Sequence, residues 1–342
     1  MNVETTRGQG DPAPLLGPPG WQDTTRGTDV RLRCLSAVDR RTVWVAGADG
    51  VVLRTQDGGD SWQSVGPPDG RALQFRSIKA FDAHHAVVLS FGAGDAARIL
   101  STDDAGEHWS EAFRNHDPAA FYNCMTFGDD SHGLAVADPV DGRFRILRST
   151  DSGRSWHEVD PAGLPAALAG EVAFAASGTC LIGRAGLHWL ATGSAARARV
   201  FRSDDGGRTW SAADTPVRSA PDAGIFALAF RDAAIGVAVG GDYRDQSRGG
   251  RLTATTADGG ITWRTVAGNA PNGYRSGATW TGHEFVVVGP GGSDYSVDDG
   301  AGWTRFDDRG LDTVSVAQDG SCWAAGEHGR VALLSHRIPA AR

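Results

Sequence analysis

Short apolar stretches separated by polar turns run along the whole length of this chain. Clear examples are TVWVAGADGVVLRT, LAVADPVDGRFRILRST and GVAVGGDY…RLTATT, in which apolar segments flank turns rich in Gly and Asp. Runs of this length, bounded by such turns, are typical of paired β-strands. The pattern therefore predicts an all-β protein made of many short antiparallel strands.

One of these turns recurs six times in nearly the same letters. It has the pattern [S/T]-x-D-x-G-x-x-W, and we call it the aspartate turn; its tryptophans are Trp62, Trp109, Trp156, Trp210, Trp263 and Trp303. The steps between successive tryptophans are 47, 47, 54, 53 and 40 residues. A repeat of about 40–50 residues is that of the four-stranded blades of a β-propeller. We expect each aspartate turn to join the third and fourth strands of one blade.

The residues of the aspartate turn are explained without any ligand. The Asp carboxylate can accept hydrogen bonds from backbone N–H groups of its own turn. The Gly adopts positive φ at little cost, and the Trp brings a large apolar ring to pack between neighbouring blades. We therefore interpret these turns as scaffold.

The two ends of the chain are expected to share a seventh blade. Residues 311–335 contain three strands but no aspartate turn, and a spare strand surrounds Trp21, 41 residues before Trp62. Pairing this strand into the last blade closes the ring and covers both open sheet edges. The sequence thus predicts a seven-bladed β-propeller of four-stranded antiparallel blades over residues 18–336. It also predicts a disordered tail over 1–17 and a C-terminal tail over 337–342.

Charge and hydropathy argue against several kinds of partner. The net charge is −8 and the pI is about 5.7, so nothing attracts a phosphate backbone and no nucleic-acid partner is expected. No stretch is apolar enough to span a bilayer, and the first 20 residues lack the apolar region of a signal peptide. We expect a cytoplasmic protein without a membrane partner.

The four cysteines are far apart in sequence and form no C-x-x-C pair; they are Cys34, Cys124, Cys180 and Cys322. Cysteines of a cytoplasmic chain are expected to be reduced. Ring closure brings Cys34 and Cys322 into neighbouring blades, which does not by itself imply a bond.

The aspartate turns resemble those of the Asp-box (BNR) β-propellers. The runs FYNCMTFGDDSHGLAVADPVDGRFRILRSTDSGRSW and GIFALAFRDAAIGVAVGGDY are similar to a subfamily related to photosystem II assembly factors of the Ycf48 type. The resemblance covers about residues 20–336. It implies a propeller that binds a peptide or protein partner, and the assembly-factor members work at photosynthetic membranes.

Sialidases carry the same boxes. Resemblance to them would imply six blades and an N-terminal Arg-Ile-Pro motif that supplies one arginine of a carboxylate-binding triad. Here that motif occurs only as Arg337–Pro339, near the C-terminus, and seven blades are expected. Sialidase activity is therefore not expected.

The starts of the inner strands surround the axis of a propeller and are the first place to look for a site. When the inner strands are aligned on their closing turns, one position holds Arg33, Arg76, Tyr122, Glu171, Phe226, Arg275 and Asp312. Three guanidinium groups outnumber two carboxylates, which favours a carboxylate or other anion as ligand. The alternative is a ring of salt bridges that only closes the channel. A slip of one residue would turn a strand's side chains to the opposite face.

Loops on the same face, opposite the aspartate turns, add further candidates. The loop before the third blade carries His116, and later loops carry Asp138, Asp242, Tyr243 and His328. In the enzyme interpretation an acidic substrate is bound by Arg33, Arg76, Arg275, Phe226, Asp242, Tyr243 and His328. Protons are then carried by Glu171, Asp312, Tyr122 or His116.

No sequence motif indicates a cofactor. There is no HExxH motif and no paired-His or Cys cluster to hold a metal, and no helix is expected after GGDYRDQSRGG to make it a phosphate-binding loop. Two functions stay open. One is a cofactor-free lyase, isomerase, cyclase or hydrolase acting on a small acidic molecule, and the other is a scaffold for a peptide or protein. A purely structural module accounts least well for a charged inner ring.

Overall fold

The computed structural model describes residues 17–336, which form seven antiparallel sheets arranged as the blades of a β-propeller. Its strands are β1 Pro19–Asp23, β2 Leu32–Ala37, β3 Val43–Gly47, β4 Val52–Thr55, β5 Gln63–Ser64, β6 Phe75–Ala80, β7 Ala86–Ser90, β8 Gly92–Ala93, β9 Arg98–Thr102, β10 Ser110–Arg114, β11 Phe121–Phe127, β12 Gly133–Val140, β13 Arg143–Ser149, β14 His157–Glu158, β15 Leu181–Arg184, β16 Leu187–Ala191, β17 Arg199–Ser203, β18 Ser211–Asp214, β19 Ala223–Phe230, β20 Gly236–Asp242, β21 Thr253–Thr256, β22 Arg264–Thr265, β23 Gly277–Trp280, β24 Phe285–Gly289, β25 Gly292–Ser296, β26 Thr304–Asp307, β27 Thr313–Val316, β28 Cys322–Ala325 and β29 Val331–His336.

The helical structure in this range consists of short 3-10 turns. They are Ala48–Gly50, Gly70–Ala72, Gly94–Ala96, Pro161–Gly163 and Glu327–Gly329. No helix of residues 17–336 has the length and apolar character needed to cross a membrane. Apart from residue 17, the predicted tails lie outside the described residues, and so does the Arg-Ile-Pro motif at 337–339. The predicted domain boundaries stay a prediction.

Each blade contains four main strands, ordered from the axis outwards. Blade 1 holds β2–β5, blade 2 holds β6, β7, β9 and β10, and blade 3 holds β11–β14 with the short β8 on its inner edge. Blades 4, 5 and 6 hold β15–β18, β19–β22 and β23–β26, and blade 7 holds β27, β28, β29 and β1. The first strand of each blade contacts the first strands of both neighbouring blades, so these seven strands surround the axis.

The predicted closure of the ring is confirmed. β1 pairs antiparallel with β29, from Pro19 opposite His336 to Asp23 opposite Ala332. The Trp21 indole N–H donates to the Ser293 hydroxyl of blade 6 at 3.0 Å. The N-terminal strand therefore both completes blade 7 and ties it to the preceding blade.

The hydrophobic core is divided among the blade interfaces. Seven clusters of buried side chains each combine residues of two adjacent blades. An eighth cluster differs because it lies at the axis and is mainly aromatic: Phe174, Ala176, Phe226 and Tyr274. Apolar burial thus holds blade to blade, and the axial cluster fills part of the centre.

The aspartate turns have the hydrogen bonds expected of a self-contained scaffold. In the first turn the Thr55 hydroxyl donates to the Asp57 carboxylate at 2.7 Å and accepts from the Gly59 N–H at 3.0 Å. The Ser61 backbone N–H and hydroxyl also donate to Asp57. Equivalent bonds, from the hydroxyl two positions before and the backbone N–H four positions after, surround Asp104, Asp151, Asp205, Asp258 and Asp298.

The inner strand of blade 4 is not the one expected from the sequence. The stretch EVAFAAS, residues 171–177, forms only an isolated bridge between Val172 and Gly193, and the inner strand is β15. Residues 172–180, which we call the axial segment, instead run into the centre of the ring. The prediction failed because an apolar run of this length fits a strand and a buried irregular segment equally well.

Contacts with distant blades show that the axial segment occupies the axis. The Ser177 hydroxyl donates to the Ser276 carbonyl of blade 6 at 2.6 Å, and the Ser177 carbonyl accepts from Thr313 of blade 7. At Gly178, where φ is +81°, a Cβ would lie only 3.0 Å from the Arg76 carbonyl of blade 2. The segment therefore fills space that neighbouring inner strands leave open.

The cysteines depart in part from the expectation of free thiols. Cys124 of β11 and Cys180 at the end of the axial segment form a disulfide, with Cα atoms 6.6 Å apart. Cys34 and Cys322 are free and buried, and they belong to different core clusters. The disulfide attaches the axial segment to blade 3. Because disulfides persist mainly in oxidising compartments, the cytoplasmic location stays a prediction.

We expect the aspartate turns to make the fold sensitive to acid. The Ser61 hydroxyl and backbone N–H lower the pKa of Asp57 to about 2. A carboxylate with a lowered folded-state pKa stabilises the fold above its unfolded pKa of about 3.9, and this contribution is lost as the pH falls through the folded value. Asp57→Asn should therefore lower the urea midpoint at pH 7, and the difference from wild type should shrink between about pH 4 and pH 2.

Asp60→Asn is the matched control for this measurement. Asp60 lies in the same turn, and its carboxylate has no hydrogen bond to the described residues, so its variant should unfold like wild type at both pH values. A midpoint difference for Asp57→Asn that persists unchanged at pH 2 would contradict the electrostatic explanation.

Candidate functional site

A cavity of about 400 Å³ opens at the axis, on the face opposite the aspartate turns. Arg31 and Arg33 of blade 1 and Arg76 of blade 2 line one side, and Asn123 and Asp138 of blade 3 lie next to them. Aromatic residues of blades 5 and 6 line the opposite side, and residues 172–176 of the axial segment form part of the wall. The cavity size lies within the range of small-molecule sites.

A repeated irregularity of the inner strands aims four side chains at this cavity. Pairing with the second strand shifts register by one residue in blades 1, 2, 3 and 5, and the unpaired residues are Arg33, Arg76, Asn123 and Phe226. A bulge of this kind leaves one residue out of the ladder and redirects its side chain. All four line the cavity, so the position aligned from the sequence exists in blades 1, 2 and 5.

In blade 3 the expected residue is wrong by one position. Asn123, not Tyr122, is the bulge residue. Tyr122 is buried in the core between blades 2 and 3, where its ring packs edge-on against Phe113 with centroids 5.3 Å apart. Burial raises the pKa of Tyr122, which keeps its hydroxyl protonated at neutral pH. It does not line the cavity.

In blade 6 the expected residue, Arg275, is also one position away from the one that corresponds to Arg33. The Arg275 backbone N–H donates to the Gly240 carbonyl of the preceding blade, just as the Leu32 N–H donates to the Gly326 carbonyl. Arg275 therefore takes the core-facing position of Leu32, and its Nε donates to Asp294 at 2.8 Å in a fully buried ion pair. Arg275 does not line the cavity, and its role in substrate binding is not supported by this position.

Glu171 also lies outside the cavity. Its carboxylate accepts from the Arg199 guanidinium, with 2.9 Å between Arg199 Nε and Glu171 Oε1, and from the Thr192 hydroxyl at 2.6 Å. Glu171 is 2% exposed, so this buried network is closed to solvent. The prediction that Glu171 faces the axis is wrong because the chain leaves the sheet of blade 4 at this point. A carboxylate already paired to a guanidinium is poorly placed to transfer protons.

In blade 7, Asp312 lies at the aligned inner-strand position that Arg33 and Arg76 hold in blades 1 and 2. There it pairs with Arg31, which the sequence alignment did not include. Arg31 donates to both Asp312 oxygens, at 2.7 and 2.8 Å, and lies 2.8 Å from Glu327. Asp312 is 1% exposed and does not line the cavity. The alignment did not include Arg31 because this residue lies two positions before Arg33, although its side chain also reaches the axis.

Once Arg31 is paired with Asp312 and Glu327, Arg33 and Arg76 carry the remaining positive charge of the cavity. Arg33 approaches Asp312 at 3.8 Å, which is too long for a hydrogen bond. Arg76 has no carboxylate within 4.0 Å among residues 17–336; it donates to the Phe75 carbonyl and lies 4.3 Å above the Phe91 ring. Burial and the adjacent Arg33 lower the pKa of Arg76 to about 10. An anion between these guanidinium groups would relieve their repulsion.

Asp138 is the one acidic side chain of the cavity without a cationic partner within 4.0 Å in the described part of the chain. It accepts from the Asn123 amide at 2.8 Å and from the Ala173 backbone N–H at 2.9 Å. Burial raises the pKa of Asp138 to about 7, although these two donors oppose the shift. The group can therefore exist in both protonation states near neutral pH. Asp138 was among the loop candidates, but the sequence carried no sign of its burial.

The other expected site residues are divided between the cavity and the surface. Phe226 and Tyr243 line the cavity, and the Tyr243 hydroxyl donates to Asp222 at 2.6 Å. Asp242 accepts from backbone N–H groups of its own loop and does not reach the cavity. The exposed side chains of His116 and His328 also lie outside it, and His116 is 3.4 Å from the surface residue Asp95.

One group of side chains in the described range has the composition of a metal site. Oxygen or nitrogen atoms of Asp104, Glu107 and His108 lie within 4.8 Å of one another. Asp104 already accepts hydrogen bonds from the backbone and ring of His108 within its aspartate turn. These contacts account for the cluster as part of the scaffold.

The fold is similar to that of solved β-propellers. No protein-family model and no curated protein matches this chain. Ycf48 bound to D1 peptide has a TM-score of 0.65 at 15% identity, over 95% of this chain and 99% of that one. Ycf48 from Cyanidioschyzon merolae has a TM-score of 0.62 at 16% identity, over 93% and 98%. A streptogramin B lyase has a TM-score of 0.66 at 13% identity, over 96% and 100%.

At these identities the similarity shows the propeller fold alone. One of the similar structures holds a peptide and another is a lyase, so both kinds of function occur on this architecture. A shared fold does not transfer function, which has to be argued from the side chains of the site.

We expect Glu171 to contribute to stability and not to ligand binding. Glu171→Ala leaves Arg199 buried without its carboxylate, which should lower the free energy of unfolding by about 3–5 kcal/mol in urea denaturation. Glu111→Ala, which breaks an exposed pair with Arg114, should cost much less. Equal, small losses for the two variants would contradict the buried network.

Proposed function

We propose that the axial cavity binds a small carboxylate-bearing molecule and that the protein is a cofactor-free enzyme that acts by acid–base chemistry. The observation that carries this proposal is a single cavity with two arginines that form no hydrogen bond to a carboxylate of residues 17–336 and one Asp without a cationic partner there. Arg33 and Arg76 bind the carboxylate, and Asp138 donates or accepts the proton. Of the residues expected from the sequence, Arg33, Arg76, Phe226 and Tyr243 remain part of this proposed site.

The charges of the cavity suit a reaction in which negative charge develops on the substrate. Guanidinium groups held in place before the reaction stabilise such charge without having to reorganise. A carboxyl group with a pKa near the working pH can both give and take a proton. These properties support elimination, isomerisation, cyclisation or hydrolysis as reaction types.

The axial segment favours a small ligand over a chain threaded through the ring. Its Ser177 and Thr179 are hydrogen bonded to residues of blades 5, 6 and 7, which closes the centre below the cavity. Ligand therefore enters and leaves through the same mouth. This geometry is that of a concave site which covers most of a small molecule.

The second candidate is a scaffold that binds a peptide or protein on the same face. It is favoured by the structural similarity to Ycf48 bound to D1 peptide and by the resemblance of the aspartate turns to those of Asp-box propellers. A terminal or side-chain carboxylate of the partner would then occupy the position between Arg33 and Arg76. Such binding needs no proton transfer, and this distinguishes it from the enzyme.

We expect small carboxylic acids to stabilise the protein through Arg76. A ligand at 100 times its Kd adds about 2.7 kcal/mol to the free energy of unfolding. Arg76→Ala removes charge-assisted hydrogen bonds and should weaken binding about 10–100-fold, measured by thermal shift and calorimetry. Arg264→Ala, which removes an exposed arginine outside the cavity, should leave binding unchanged. A stabilising acid that binds equally well to Arg76→Ala would contradict the proposed position.

We expect the pH dependence of binding to report on Asp138. Neutral Asp138 does not repel a bound carboxylate, so affinity should fall as the pH rises through the pKa of about 7, by about fivefold between pH 7 and pH 8. Asp138→Asn should abolish this fall. Calorimetric titrations at pH 6, 7 and 8 measure both effects, and a similar slope in wild type and variant would count against the role of Asp138.

Folding stability gives a second readout for Asp138 that needs no ligand. The raised pKa means that the folded protein holds this proton between about pH 4 and pH 7 while the unfolded chain does not. Because the unfolded chain ionises first, the stability of wild type falls as the pH rises through this window. Asp138→Asn should lack that decline in urea denaturation.

A further inference from the structure

We infer that the molecule bound in the axial cavity carries a flat aromatic body in addition to its carboxylate. This inference rests on the proposed function and names the substrate class of the same site. It is carried by six aromatic side chains that line the cavity: Phe91, Phe121, Phe174, Phe226, Tyr243 and Tyr274. They belong to two groups on opposite sides of the space.

The larger group is the aromatic wall, which we define as Phe174, Phe226, Tyr243 and Tyr274. Phe174 and Phe226 are stacked, with centroids 3.9 Å apart and planes at 15°. Tyr274 meets Phe226 edge-on at 4.7 Å, and Tyr243 approaches the same stack in T-shaped contacts. The packing of three of these side chains keeps them buried and orders the wall before any ligand arrives.

The second group lies across the ring and adjoins the arginines. Phe91 of blade 2 and Phe121 of blade 3 meet edge-on, with centroids 5.6 Å apart. Arg76 lies over the Phe91 ring, so its N–H groups and an aromatic surface are presented side by side. Blades 2 and 3 are opposite blades 5 and 6 in a seven-membered ring. The cavity therefore has aromatic surfaces on two facing sides and the guanidinium groups of Arg33 and Arg76 next to one of them.

The Tyr243 hydroxyl of the aromatic wall is already occupied. The Tyr243 hydroxyl donates to Asp222, and Asp222 also accepts from Arg244 at 2.8 Å. The wall thus offers its rings but no free carboxylate to the cavity. A substrate body rich in hydroxyl groups, such as that of a sugar acid, would gain fewer polar partners from these rings than it loses in water.

An aromatic acid fits each of these features at once. Its carboxylate lies between Arg33 and Arg76, and its ring packs against the aromatic wall in offset or edge-on contacts. Asp138, in blade 3 between the two regions, is then near the atoms that join carboxylate and ring. Proton transfer at those atoms is the chemistry proposed for Asp138.

Calorimetric titration with four monocarboxylates of graded character tests the inference. The probes are cinnamate and benzoate as aromatic acids, cyclohexanecarboxylate as a saturated ring, and glucuronate as a hydroxylated ring. We expect the aromatic acids to bind at least tenfold more tightly than cyclohexanecarboxylate, and glucuronate to bind most weakly. All measurable binding should depend on Arg76.

Two variants of the aromatic wall and one matched control locate the preference. Phe226→Leu and Tyr243→Leu should reduce the advantage of the aromatic acids to less than threefold while keeping the affinity for cyclohexanecarboxylate. Tyr243 is 39% exposed, so its variant preserves the buried core if Phe226→Leu does not fold. Phe285→Leu, in the core between blades 5 and 6 and away from the cavity, should keep the wild-type preference.

The outcomes separate this inference from the proposed function. If the saturated and aromatic acids bind equally well through Arg76, or if glucuronate binds best, the aromatic inference is overturned and the carboxylate site stands. If the aromatic preference survives in both wall variants, the wall is not its source and the inference is overturned. If no acid binds at millimolar concentration, the inference and the proposed function fail together.

Discussion

Pairing of the first strand with the last is the constraint on which the rest of the molecule depends. β1 adds the fourth strand of blade 7, and Trp21 ties this blade to blade 6. Each hydrophobic cluster of the core lies between two blades, so an open ring would leave two blade faces and two sheet edges exposed to water. Closure also brings the seven inner strands around one axis, and the cavity exists only because they meet there.

The centre of the ring combines an excess of positive charge on one side with an acidic side chain that has no cationic partner among the described residues. Guanidinium groups of blades 1 and 2 are concentrated on one side, and their charge exceeds that of Asp312 and Glu327, the carboxylates that pair with them. Asp138 lies in the same cavity without a cationic partner among residues 17–336, and its raised pKa of about 7 keeps it protonated at lower pH. The raised pKa of Asp138 lowers the stability of the fold at neutral pH. Sites that retain uncompensated charge and perturbed pKa values are typical of function.

Much of the fold was predictable because its signals are local. The six aspartate turns have the same hydrogen-bond requirements wherever they occur, and they mark six of the seven blades. The candidate site was predictable only in part. Arg33, Arg76 and Phe226 were located correctly at the inner ring, whereas Tyr122 and Arg275 were each one residue away from the position that faces the cavity.

By itself, then, the sequence determined the repeat, the number of blades, the sharing of the last blade between both termini and the position of Arg33 and Arg76 near the axis. Only the tertiary structure decided which side chains face the cavity, because a strand reverses its faces with a shift of one residue and the bulges sit at that position. It also decided that residues 172–180 leave blade 4 and close the axis, since their partners come from blades distant in sequence. The burial that shifts the pKa of Asp138 arises from the same long-range packing.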